Sequence, residues 1–137
     1  MANDISDALR AEVLRRAGGR CEYCGIEESD AGFPFQIDHI VSRKHGGSSE
    51  PGNLACACAP CNWHKGTDVA TVNLVSRRVV RLFNPRRDRW ADHFFANRGV
   101  IEPLTPVGAA TTRLLQMNLP ERVSERYALG SRVRPPT

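Results

Sequence analysis

The chain has 137 residues, with 19 Lys and Arg against 15 Asp and Glu, for a formal net charge of +4. That length leaves room for one compact domain, or a small core with an appended tail, and excludes two independent hydrophobic cores. Hydrophobic residues at 41% and charged residues at 25% exclude a disordered chain, and no apolar run reaches the length of a membrane span.

In chain order, the first predicted element is an amphipathic helix over residues 5–17. Ile5, Ala8, Leu9 and Val13 recur at helical spacing, Asp4 offers an N-cap, and Gly18-Gly19 a stop. Residues 33–41, aromatic and β-branched between Gly32 and the Gly46-Gly47 loop, read as a strand. A polar, glycine-rich loop over 42–52 leads to a second short strand over 54–57. Pro60 suits the first turn of a helix that runs to about Lys65 and stops at Gly66. Past Thr67 the periodic signals fade until the Asn84-Pro85 turn and a short helical segment through Trp90. Residues 94–104 predict a hairpin around Asn97-Arg98-Gly99. Thr105-Pro106 has the cap and first-turn chemistry of a helix with Val107, Ala110, Leu114 and Met117 on one face, stopped by Asn118 and Pro120. A last helix covers about 121–128, and residues 131–137 form a frayed tail. The fold class is therefore α+β. We expect a single domain over 1–137, made of a core at 4–68 and a mainly helical C-terminal extension at 69–130.

Cys21-Glu22-Tyr23-Cys24 and Cys58-Ala59-Pro60-Cys61 are two Cys-x-x-Cys pairs, the spacing at which a tight knuckle turns both sulfurs toward one tetrahedral Zn²⁺. Four thiolates leave no open position for substrate, so this ion is expected to be structural. Cys56 lacks the short spacing and reads as a small core residue. Close thiol pairs, an odd total of five cysteines and the lack of a signal-peptide pattern in the first residues predict a reducing, cytoplasmic setting. Four thiolates around Zn²⁺ would remove four charges and return two, leaving +2, so preference for an anionic partner must rest on charge placement. Arg77, Arg78, Arg81, Arg86, Arg87 and Arg89 cluster in one stretch, either as a nucleic-acid-facing patch or as a solvated face ion-paired to Asp88 and Asp92.

Between the cysteine pairs stand Phe35-Gln36-Ile37-Asp38-His39-Ile40-Val41, then Asn53-Leu54, then Cys61-Asn62-Trp63-His64-Lys65-Gly66. Asn53 stands 14 positions after His39, and Asn62 nine positions after Asn53. This arrangement resembles the HNH endonucleases, in the form with Asn at the third motif position, over about residues 20–68. Leu82-Phe83-Asn84-Pro85-Arg86, Trp90, His93-Phe94 and Leu104-Thr105-Pro106-Val107-Gly108 are similar to the tail of small stand-alone bacterial members. The resemblance implies a ββα-metal core and a metal-dependent endonuclease that hydrolyses phosphodiester bonds, with DNA the favoured nucleic acid. It implies one catalytic Mg²⁺ or Mn²⁺ held by Asp38 and Asn62, His39 as general base, and a supporting role for Asn53. The chemistry agrees: carboxylate and amide oxygens are hard ligands, and an imidazole can take a proton from attacking water. Adjacent strand residues face opposite ways, so Asp38 and His39 share one phosphate only if the backbone bends, and that bend is implied by the resemblance alone.

Lys65, three positions past Asn62 on one helix face, and Arg43, Lys44 and His45 in the loop are candidates to meet the nucleic-acid backbone; solvated side chains are the other reading. His64 should point away from Asn62, and His93 should pack beside Phe94 and Trp90. A zinc-stabilised nucleic-acid-binding module without cleavage stays open as the alternative function, as does a structural adaptor. The chain is expected to act as a monomer or homodimer.

Overall fold

The computed structural model describes residues 5–130. Helix α1 (Asp7–Arg16) starts where the Ser6 hydroxyl accepts the Leu9 N–H at 3.1 Å. The cap is therefore Ser6; Asp4, read as the cap from sequence, lies outside the described residues. Gly18 and Gly19 end α1 with φ of 66° and 73°, a backbone that other residues rarely adopt.

A short helix, α2 (Glu28–Ala31), was not signalled by periodicity. It ends on left-handed Gly32, and Pro34 follows, so the strand expected over 33–41 shrinks to β1 (Gln36–His39). Its far end is set by Asn53, whose carbonyl accepts Ile40 N–H and whose side chain takes both the N–H and the carbonyl of Val41. The loop over 42–52 contains two single 3-10 turns, Arg43–His45 and Pro51–Asn53. β2 (Leu54–Ala57) pairs antiparallel with β1 in the register Gln36–Ala57, Ile37–Cys56, Asp38–Ala55 and His39–Leu54. α3 (Ala59–Lys65) follows after Cys58 alone, with Pro60 in its first turn. β1, β2 and α3 make the ββα unit, and the α+β class holds.

The weakly patterned stretch after Thr67 forms a hairpin that the sequence reading missed, β3 (Ala70–Val72) against β4 (Val79–Arg81). α4 (Trp90–His93) leads into the expected second hairpin, β5 (Phe94–Asn97) and β6 (Val100–Pro103), turned by Arg98 and Gly99 at φ of 51° and 88°. α5 (Pro106–Leu114) is capped by the Thr105 hydroxyl on Gly108 N–H. It stops short of Met117 because the chain reverses at Gln116, φ 50°, although Met117 is still buried. α6 (Pro120–Leu129) closes the described chain; the frayed tail expected at 131–137 lies outside it.

One buried cluster runs from Val13 on α1 through Tyr23, Phe35 and Leu54 to Phe83, Trp90, Phe94, Ile101 and Leu115. Phe94 stands 5.2 Å from Phe83 and 5.1 Å from Trp90, ring centre to ring centre, and the Trp90 indole donates to the Tyr23 carbonyl at 2.8 Å. Burial of this aromatic set seats the extension on the first cysteine knuckle, so residues far along the chain help to shape the site.

Candidate active site and metal centre

The sulfurs of Cys21, Cys24, Cys58 and Cys61 all lie within 4.8 Å of one another, and all four residues are buried. The backbone N–H groups of Tyr23 and Cys24 both point at Cys21 Sγ at 3.4 Å, which turns the knuckle tightly enough to aim two sulfurs at one point. Neighbouring sulfurs push the Cys58 thiol up and burial pushes Cys61 up, while hydrogen bonds from Cys21 hold Cys24 well below the usual thiol range. Such a cluster cannot carry all its charge without a cation at its centre. Four soft, converging donors with no open side fit a structural zinc ion. Arg122 of α6 donates to Cys61 Sγ at 3.0 Å and approaches Cys58 Sγ at 3.6 Å. Burial works against the charge on Arg122, but the sulfurs outweigh it and hold the guanidinium protonated. Cys56 in β2 is not one of the four converging sulfurs, and its thiol is pushed up to about 12, chiefly by burial, as suits a core residue.

Asp38 lies on the face of β1 that meets α3. Its carboxylate, 3% exposed, accepts the Tyr23 hydroxyl at 2.6 Å and the Lys65 ammonium at 3.1 Å. Lys65, itself 2% exposed, also donates to the carbonyls of His39 and Ile40 at 3.2 Å each. Burial raises the pKa of Asp38, and the charge of Lys65 and the bonds from Tyr23 and Lys65 pull against that rise. Burial and the facing carboxylate keep the Tyr23 phenol well above its ordinary range, so it remains a donor. Lys65 therefore differs from the phosphate-contacting lysine read from sequence: its three donors are engaged inside the protein.

His39, at the last position of β1, turns the other way. Its Nε2 is 3.0 Å from Ser49 Oγ, and its ring lines a cleft of about 270 Å³ with Ile5, Asp7, Arg10, Gln36 and Ile37. Asn53 bonds Val41 and the Ser48 carbonyl, the latter at 2.7 Å, and so holds the loop that presents Ser49 to the imidazole. Gln36 belongs to the same cleft and accepts the Asn62 amide N–H at 2.5 Å, which joins α3 to the strand. His39, Gln36 and Asn62 are thus linked by one cleft and one hydrogen bond, whereas Asp38 is committed to Lys65 and Tyr23.

Residues 21–68 match the HNH endonuclease family. This stretch is an HNH domain. No curated protein and no solved structure matches the chain. The match supports, in general terms, a nuclease-type function acting on nucleic acid.

Arg43, Lys44 and His45 are exposed on their 3-10 turn. His64 on α3 is half-buried and makes no hydrogen bond to Asn62, and His93 bonds Thr105 while its ring packs on Phe83 and Phe94. Of the arginine cluster, Arg81 pairs with Asp88 at 2.6 Å and Arg86 with Glu22, so part of it is structural. Sequence reasoning missed Tyr23, Gln36, Ser49, Arg122 and the 72%-exposed Trp63 beside Asn62. Gln36 alone carried a signal, since alternation with Asp38 puts it on the strand face that meets α3, where it bonds Asn62.

As arranged, Asp38 does not fit a hydrated Mg²⁺ or Mn²⁺. An incoming ion would meet the positive charge of Lys65 at a carboxylate closed off from water, and a hard divalent ion keeps several waters.

Proposed function

We propose that the chain is an endonuclease that hydrolyses phosphodiester bonds, with DNA as its substrate and His39 as the general base. The observation that carries this reading is the imidazole at the open end of β1, oriented by Ser49 and facing a cleft walled by the polar side chains of Gln36, Asp7 and Arg10. A base so placed removes the proton from a water while it attacks phosphorus, and its fixed ring orientation limits the reorganisation that attack requires. Asn53 acts indirectly, by holding the Ser48–Ser49 segment. Asn62 is placed at the cleft through Gln36. Zinc staples the scaffold, and its thiolate ligands suit a reducing, cytoplasmic compartment. Mg²⁺ or Mn²⁺ remains the second cofactor implied by the HNH resemblance.

The second reading is a zinc-stapled module that binds nucleic acid without cutting it, and the closed Asp38–Lys65 pair favours it. A plasmid-nicking assay with Mg²⁺ or Mn²⁺ added, comparing the natural chain with His39→Ala, separates the two. Nicking that falls by about 100-fold or more in the variant supports the base, within the range that general-base catalysis supplies. Intact plasmid with either ion and the natural chain would leave the binding module.

A further inference from the structure

The β3–β4 hairpin lies outside residues 21–68, and it gathers several exposed aliphatic side chains. Val75 at its tip is 94% exposed, Leu74 64%, and Val79, paired across the ladder with Val72, 75%. This is not a loosely held loop. The Asn73 side chain accepts the N–H groups of Val75 and Ser76 at 2.9 Å each, and its carbonyl accepts Arg77 N–H at 2.8 Å. Arg113 of α5 anchors the hairpin by donating to the Val72 carbonyl at 2.6 Å. A tied-down turn that presents aliphatic side chains to water marks a contact surface.

The charges around it say what it contacts. Residues 69–87 contain five arginines and no acidic residue. Arg77 and Arg78 flank the apolar tip, exposed and with no ion pair among the described residues. Arg77 holds φ at 66°, a left-handed backbone that favours Gly or Asn and is strained for a long side chain. At the base of the hairpin, a cleft of about 370 Å³ lined by Val69, Arg87 and the Arg81–Asp88 ion pair reaches Ile40 and Val41, the two residues after His39.

We propose that this hairpin is a duplex-binding wing. Leu74 and Val75 press as an apolar wedge against a base step in the minor groove, Arg77 and Arg78 hold the adjoining phosphates, and Arg87 extends the basic track along the cleft toward Ile40 and Val41. Apolar wedges flanked by basic side chains suit a nucleic-acid duplex, because the wedge meets the stacked bases while the cations meet the rails. The proposal rests on the nuclease reading above and adds how the substrate is gripped.

The test measures binding of a short fluorescent DNA duplex by the full zinc-loaded chain across a salt series, with Arg77→Gln/Arg78→Gln and Leu74→Ser/Val75→Ser as variants. Thermal unfolding verifies that both remain folded, and Val75→Ser alone, at a side chain that touches almost nothing, serves if the double variant does not. Loss of two phosphate contacts should lower the salt slope by about 2. Loss of the wedge should weaken binding about tenfold with the slope kept, and remove the fluorescence gain of a 2-aminopurine placed at the unstacked step. If both variants bind as the natural chain does while that chain still nicks plasmid, the wing is wrong and the nuclease reading stands. If the natural chain neither binds nor nicks duplex, both fall. Tip-dependent binding to phosphatidylcholine–phosphatidylserine vesicles without duplex binding would overturn the proposal in favour of a lipid surface.

Discussion

Lys65→Met removes the cation from a carboxylate that has nowhere to go. Asp38 and Lys65 are each almost fully buried, and the ammonium makes three hydrogen bonds, to Asp38 and to the carbonyls of His39 and Ile40. Breaking one side of such a pair costs about 3–5 kcal/mol, because the remaining charge stays desolvated with only the Tyr23 hydroxyl to serve it. For a chain of this size that is a fall in Tm of roughly 10–20 °C. The sign of the pH dependence follows. Burial already raises the folded pKa of Asp38, and loss of Lys65 removes the largest force that opposed the rise. Without that cation the carboxyl is driven further toward its neutral, protonated form. A group with a raised folded pKa contributes its stability below the unfolded value and loses it as pH climbs through the folded one, so the deficit should be greater near pH 8.5 than near pH 6. Calorimetry on the zinc-loaded proteins at the two pH values measures this. Asp38→Asn/Lys65→Met, which removes both charges, should recover more than half of the loss. A Tm change under about 2 °C in Lys65→Met, or a deficit equal at both pH values, refutes the reasoning.

The other predictions address the metal and the loop. Cys58→Ser should release zinc and unfold the chain, seen as lost far-ultraviolet ellipticity, whereas Asn62→Ala should keep one zinc per chain and an unchanged melting curve while nicking drops. Arg122→Met should speed zinc transfer to a chromogenic chelator by about tenfold or more, since the guanidinium offsets thiolate charge; an unchanged rate would show that Arg122 does not influence the metal. Gly47→Ala places a methyl group on the Val41 carbonyl oxygen and against Asn53 Nδ2, so the loop that carries Ser49 must shift. We expect a loss of about 1–3 kcal/mol in urea titration, together with reduced nicking.

Local chemistry made much of the molecule legible in advance. Cys-x-x-Cys spacing identified the four sulfurs, since a knuckle is closed by bonds two and three residues long. The ββα order followed from two β-rich runs and a proline-started helix, and Asn97-Arg98-Gly99 marked its hairpin through the left-handed backbone it requires. Beyond a few residues of separation, only packing decided. Lys65 looked like a surface cation because helix position cannot show that a carboxylate 27 residues away waits in the interior. Arg122 reaches Cys61 across 61 residues, and nothing in either segment announces the other. β3 and β4 escaped notice because strands of three residues carry almost no periodicity and are stable only once α5 lies against them. What the sequence alone determined was therefore the inventory of ligands and bases and the local turns that aim them. Which cation neutralises which anion, and which face of β1 meets water, was decided by tertiary structure, because burial and charge pairing depend on neighbours that chain order does not reveal.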